Sequence, residues 1–127
     1  MANELVLIVE DNEKNRRLAR DVLQFNGYRI LESETAEEGI RLARENLPAL
    51  ILMDFHLPGM NGIEALGKLR EDPATRDIPV IAVTASAMTE DRKKIVEAGF
   101  NALQTKPIHV TDFVQAVRDA IAGSKSA

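Results

Sequence analysis

Ala49-Leu-Ile-Leu-Met-Asp-Phe-His-Leu-Pro-Gly-Met-Asn-Gly62 is the stretch on which the fold turns. Its first five residues are apolar without alternation, the pattern of a strand covered on both faces, and such strands occur in parallel sheets clad with helices. The run then stops on a carboxylate, Asp54, and passes into Pro58-Gly59 and Asn61-Gly62, residues that open a loop rather than prolong a strand. Leu5–Val9 and Pro79–Thr84 share the unbroken apolar character. Tyr28–Ser33 and Ala102–Thr105 carry Arg29, Glu32, Gln104 and Thr105, and suit the edges of a sheet.

Helical spacing follows each of these five segments. Leu18, Val22 and Phe25 fall on one face of a first helix that Asn26-Gly27 stops. Thr35 with Glu38 three residues on forms a capping box for a second helix, which is expected to bury Ala36, Ile40, Ala43 and Leu47 before Pro48. Ile63, Leu66 and Leu69 mark a third helix. Ile95 and Val96 mark a fourth ending at Gly99, and Phe113, Val114, Val117 and Ile121 stripe a fifth ending at Gly123. Five βα units with right-handed crossovers imply a parallel sheet between two helical layers. With the polar strands at the edges, the order 2-1-3-4-5 fits, which is the flavodoxin-like (βα)5 three-layer α/β sandwich.

At 127 residues the expectation is one domain, 1–127, with its core about 5–123 and no effector domain. The absence of cysteine excludes disulfides, thiolate metal sites and cysteine nucleophiles, and makes the cytoplasm the default location. A formal net charge of −4 with no basic cluster argues against direct nucleic-acid binding. No apolar run is long enough to span a bilayer, so no membrane association is expected.

In an open α/β sheet the chemistry gathers beyond the carboxyl ends of the strands. Those ends are Glu10-Asp11, Asp54, Thr84-Ala85-Ser86 and Thr105-Lys106-Pro107. Three carboxylates brought together repel unless a cation lies among them. Lys106 offsets part of this charge, and a hard oxygen-seeking ion such as Mg²⁺ offsets the rest. Such a set suits phosphoryl transfer, which needs a nucleophile, positioning and neutralised oxygens. Asp54 is the candidate nucleophile. Lys106, the Thr84 hydroxyl and the Ala85 backbone N–H are candidate phosphoryl contacts, and the small Ala85 leaves room for a donor.

Glu10-Asp11, the Met53–Gly62 stretch around Asp54, Thr84-Ala85 after an apolar strand, and Lys106-Pro107 together resemble the receiver domain of two-component response regulators, from Leu5 to about Gly123. The resemblance implies a phosphoacceptor switch that takes a phosphoryl group onto Asp54 from a phosphohistidine on a histidine kinase or histidine phosphotransfer protein, and then acts on a downstream protein target. It implies no enzymatic turnover beyond self-catalysed phosphotransfer and slow self-dephosphorylation. It further implies that Asp11 and Asp54 ligate Mg²⁺ directly with the His56 carbonyl as third protein ligand, that Glu10 acts through water, and that a cis bond before Pro107 aims the Lys106 ammonium. The family usually has an aromatic residue three positions before the lysine, paired with the threonine as a two-residue switch. Leu103 stands there, so Thr84 and Leu103 form the candidate switch pair.

Plainer readings stand beside these. Asp11-Asn12 could simply cap the first helix, His109 is expected to be exposed, and Arg41, Arg44, Lys93 and Lys94 are expected on solvated helix faces. Met53 and Met88 suit core or partner packing. The rival functions are a phosphoryl-carrier module of a hybrid kinase and a Mg²⁺-dependent aspartyl-phosphate phosphatase. The phosphatase needs an acid two positions after its nucleophile, where this chain has His56. A nucleotide or flavin binder of this fold would need a glycine-rich loop after the first strand, where Glu10-Asp11-Asn12 stand instead.

Overall fold

The computed structural model describes residues 3–57, 59–85, 89–106 and 108–126. Five strands, β1 (Leu5–Val9), β2 (Arg29–Ser33), β3 (Leu50–Asp54), β4 (Val80–Thr84) and β5 (Ala102–Thr105), alternate with five helices. These are α1 (Glu13–Phe25), α2 (Ala36–Asn46), α3 (Gly62–Glu71), α4 (Thr89–Ala98) and α5 (Val110–Ser126). The strands form one parallel sheet in the order β2-β1-β3-β4-β5. This is the flavodoxin-like arrangement expected, with the two polar strands at its edges. Pro58, Ser86, Met88 and Pro107 lie outside the described residues, so the cis bond expected before Pro107 is not among the observations.

Period-two alternation along the central strands divides the core. Leu7 and Val9 of β1, Ile51 and Met53 of β3, and Val80 and Ala82 of β4 face α2, α3 and α4. Val6 and Ile8, Leu50 and Leu52, and Ile81 and Val83 face Ala19 and Leu23 of α1 and Phe113, Val117 and Ile121 of α5. The helix over β1 lies close: a Cβ added at Gly39 would sit 2.7 Å from Val9 Cγ2.

Several local expectations are corrected. β2, β3 and β4 each begin one residue later than read from sequence, and Pro79, lacking an N–H, contributes only its carbonyl, which accepts from Ile51. Helix α1 buries Ala19 and Leu23, leaving Leu18 and Phe25 exposed with Val22 half-buried. Ala19 and Leu23, four residues apart, set the inward face of the helix, and Leu18 and Phe25 fall outside it. Leu47 is not in α2 but caps it in the left-handed region (φ 47°), exposed, with its N–H on the Ala43 carbonyl. The capping box is half-formed: Thr35 accepts the Glu38 N–H at 3.2 Å, while the Thr35 N–H goes to Ser33 Oγ. Val96 is exposed beside buried Ile95, and Ile63 lies at the surface. Helix α5 runs through Gly123 to Ser126, whereas Gly27, with φ 92°, does follow the end of α1 as expected. Arg44 is exposed but held to Asp72 at 2.6 Å. Among the described residues no helix is long and apolar enough to cross a membrane.

Candidate phosphoryl-acceptor site

Parallel pairing sets the carboxyl ends of β1, β3 and β4 side by side, with Val9 opposite Met53 and Asp54 opposite Val83. The residues immediately beyond or at those ends are Glu10, Asp54 and Thr84, all buried. One carboxylate oxygen from each of Glu10, Asp11 and Asp54 lies within 4.8 Å of the others, with Asp11 exposed between two buried partners. Lys106 enters from beyond β5, its backbone N–H on the Thr84 carbonyl at 2.8 Å. Its Nζ lies 2.7 Å from Glu10 Oε1 and 3.1 Å from Asp54 Oδ2.

Asp54 is held on both oxygens, since Oδ1 accepts the backbone N–H of His56 at 3.0 Å while Oδ2 accepts from Lys106. A carboxylate with one donor on each oxygen is fixed in orientation and keeps a lone pair for reaction. Glu10 is held as firmly, with Oε2 accepting the Asn12 N–H at 3.1 Å. Its carboxyl is pushed up to about 7, first by burial and next by the neighbouring Asp54, against the opposing pull of Lys106. Burial lowers the Lys106 ammonium's pKa, but hydrogen bonding to Glu10 and attraction to both carboxylates together carry it above the ordinary lysine value. The wall beneath this polar trio is apolar, a cavity of about 40 Å³ lined by Ile8, Leu18, Ala19, Leu52, Val83 and Phe113. That wall supplies the desolvation.

One ammonium among three carboxylates leaves surplus negative charge, and every acidic donor is a hard oxygen. The donor set therefore fits Mg²⁺. Asn12 takes the bland role considered for Asp11-Asn12, capping α1 by accepting the Asn15 N–H at 3.0 Å, which leaves Asp11 to the acidic group. The His56 side chain is exposed and set edge-on to Phe55, ring centroids 4.9 Å apart, so its backbone rather than its imidazole holds Asp54. Ala85 is exposed at the rim, and Leu103 is half-buried, paired with Ala82 two register steps before Thr84 and Thr105. His109 is exposed.

Arg16 is the neighbour that sequence reading missed. Its Nη1 donates to the Glu10 carbonyl at 2.9 Å, and its guanidinium also meets Glu32 and Glu34. An arginine in the first turns of a helix looks like a solvated charge until the β1–β2 register places Ser33 beside Val9.

Comparison with known proteins agrees with this geometry. The family model described as "Response regulator receiver domain" matches residues 6–118. The polar-differentiation response regulator DivK of Brucella ovis is 44% identical over 113 residues, covering 89% of this chain and 92% of that protein. A response regulator structure from Chloroflexus aurantiacus superposes with a TM-score of 0.91 at 28% identity, covering 94% of this chain and 98% of that one. The receiver domain of a sensor histidine kinase from Pseudomonas aeruginosa, described with a magnesium ion coordinated in its active-site cleft, gives 0.88 at 30% identity over 94% of this chain and 98% of its own. With the acidic group, Lys106 and the sheet order all in agreement, the chain belongs to the response regulator receiver domain family, the phosphoacceptor switches of two-component signalling.

Proposed function

We propose that Asp54 is the residue that takes the phosphoryl group, from a phosphohistidine on a histidine kinase or histidine phosphotransfer protein, and that the modified domain then signals by contact with a downstream protein. The observation that carries this reading is the Lys106 ammonium bridging Glu10 and Asp54 at 2.7 and 3.1 Å on the carboxyl edge of the sheet. Asp54 presents a fixed carboxylate oxygen to phosphorus. As the new O–P bond forms, the N–P bond of the phosphoimidazole breaks and its electron pair leaves with the ring nitrogen. Lys106 is already placed to move its positive charge from a carboxylate to a phosphoryl oxygen. The Thr84 hydroxyl and the Ala85 N–H serve the remaining oxygens, and the bare Ala85 methyl leaves space for the incoming donor. Asp11, Asp54 and the His56 carbonyl would hold Mg²⁺, with Glu10 acting through water. Bound there, Mg²⁺ supplies charge neutralisation for the transferred group.

Signalling then depends on Thr84 following the phosphoryl group, with Leu103 filling the space behind it. Leucine lacks the reach and hydroxyl of a tyrosine, so Thr84 carries the larger share of the coupling. The test is transfer from a purified phosphohistidine donor to the wild type and to Asp54→Asn, with Mg²⁺ or with EDTA, read by intact-protein mass. One added phosphoryl group is expected only in the wild type with Mg²⁺. A phosphorylated Asp54→Asn protein would overturn the assignment.

A further inference from the structure

We infer that Arg16 is a positioning residue for the cation site, fixing the peptide from which Asp11 projects. The inference rests on the reading of Glu10, Asp11 and Asp54 as that site. Arg16 sits in the first turns of α1, its backbone N–H on the Asn12 carbonyl, and its side chain is only 14% exposed. Three edges of the guanidinium are in use. Nη1 donates to the Glu10 carbonyl at 2.9 Å, Nε faces Glu32 Oε1 at 3.3 Å and Nη2 faces Glu34 Oε1 at 3.4 Å. A planar fork engaged on three sides has little freedom to rotate, unlike a single-point ammonium contact.

The carbonyl it grips belongs to the peptide joining Glu10 to Asp11. The other side of Glu10 is tied as well, its N–H donating to the Ser33 carbonyl of β2 at 3.0 Å. Both Arg16 carboxylate partners lie on or just beyond β2, so the guanidinium fastens the Glu10-Asp11 peptide to the sheet edge. Asp11 needs this support more than its partners do. Glu10 and Asp54 are buried and hydrogen-bonded to Lys106, whereas Asp11 is exposed and faces two like charges that push it outward. Holding its peptide in place before the cation arrives means that binding need not gather a scattered ligand set, and second contacts of this kind set the affinity of metal sites.

The experiment is calorimetric titration with Mg²⁺ alone of the wild type, Arg16→Met, Arg16→Lys and Arg20→Met, paired with thermal unfolding in EDTA. Arg20 is the control, since it belongs to the same charge network through Glu32 and Asp21 but is not the residue that grips the Glu10 carbonyl. Arg16→Met is expected to weaken Mg²⁺ binding about tenfold, the lower end for a residue that orients ligands. Arg16→Lys is expected to weaken it at least about threefold, because an ammonium cannot span the carbonyl and both carboxylates in one plane. Arg20→Met should stay within about twofold of the wild type. Wild-type affinity in folded Arg16→Met overturns the inference, as does full affinity in Arg16→Lys, which would reduce the role to charge. Arg16→Lys decides by itself if Arg16→Met does not fold. A wild type that fails to bind Mg²⁺ removes the cation-site reading, and this inference with it.

Discussion

Without a divalent cation, Glu10 sets a pH dependence on stability that a single substitution can isolate. Its carboxyl titrates near pH 7 in the folded protein against an ordinary value of 4.5, chiefly because it is buried. The folded state therefore binds more protons than the unfolded state between those two pH values. The stability contributed is fully present below the unfolded pKa and is lost as pH rises through 7. A rise from 4.5 to about 7 corresponds to at most about 3 kcal/mol. Water reaching the open strand edge and the shared field of Asp54 and Lys106 reduce this to about 1–2 kcal/mol. Glu10→Gln cannot ionise and lacks this component. It also loses the contact to Lys106, but that ammonium is held above its ordinary value and stays charged throughout. Its pull on the ionised carboxylate is already contained in the position of the Glu10 titration, so no second pH-dependent step is added.

Urea unfolding in EDTA, followed by far-ultraviolet circular dichroism because the chain has no tryptophan, gives the stability of both proteins from about pH 5 to 8.5. Wild-type stability minus that of Glu10→Gln is expected to fall by about 1–2 kcal/mol across the range. A difference that stays flat to within about 0.5 kcal/mol, or that grows with pH, would refute the reasoning. Adding Mg²⁺ should stabilise the wild type more at the alkaline end, where the proton no longer competes with the cation.

Asp11→Ala should abolish most Mg²⁺ affinity by calorimetry and raise the melting temperature in EDTA by a few degrees, as one of three mutually repelling carboxylates is removed; tight binding in the variant would count against the site. Leu47→Gly should stabilise the protein by about 1 kcal/mol in urea unfolding, since an exposed leucine with φ 47° carries a left-handed strain that glycine lacks. Thr84→Ala should accept phosphate yet lose most of the difference in partner capture between Mg²⁺ with beryllofluoride and Mg²⁺ alone. Leu103→Ala should lose less, and the reverse order would mean that coupling takes another route.

The strand ends were legible because unbroken apolar runs in β1, β3 and β4 have only one home, a sheet covered on both sides, and each run stops on the residue that matters. Polar Arg29, Glu32, Gln104 and Thr105 marked the edges for the same reason. The face of α1 was not legible. Ala19 is a weaker hydrophobic signal than Leu18 or Phe25, yet the face that turns inward runs through Ala19 and Leu23. Leu47 looked like the next apolar residue of the α2 stripe, but Pro48 behind it disfavours a further helical residue. Arg16 was hidden because its partners, the Glu10 carbonyl just after β1 and the carboxylates of Glu32 and Glu34 on and just beyond β2, are distant in sequence from one another and meet only through the β1–β2 register.

Trapping the acyl phosphate tests the role of Asp54 most directly. Wild-type protein is incubated with acetyl phosphate and Mg²⁺ and quenched with borohydride, which reduces an aspartyl phosphate to homoserine, and its peptides are then read by mass spectrometry. Homoserine at position 54, between Met53 and Phe55, is the expected result, and it should vanish when EDTA replaces Mg²⁺. An intact Asp54 with a reduced side chain at Asp11 or Glu10, or reduction at Asp54 that persists in EDTA, would contradict it.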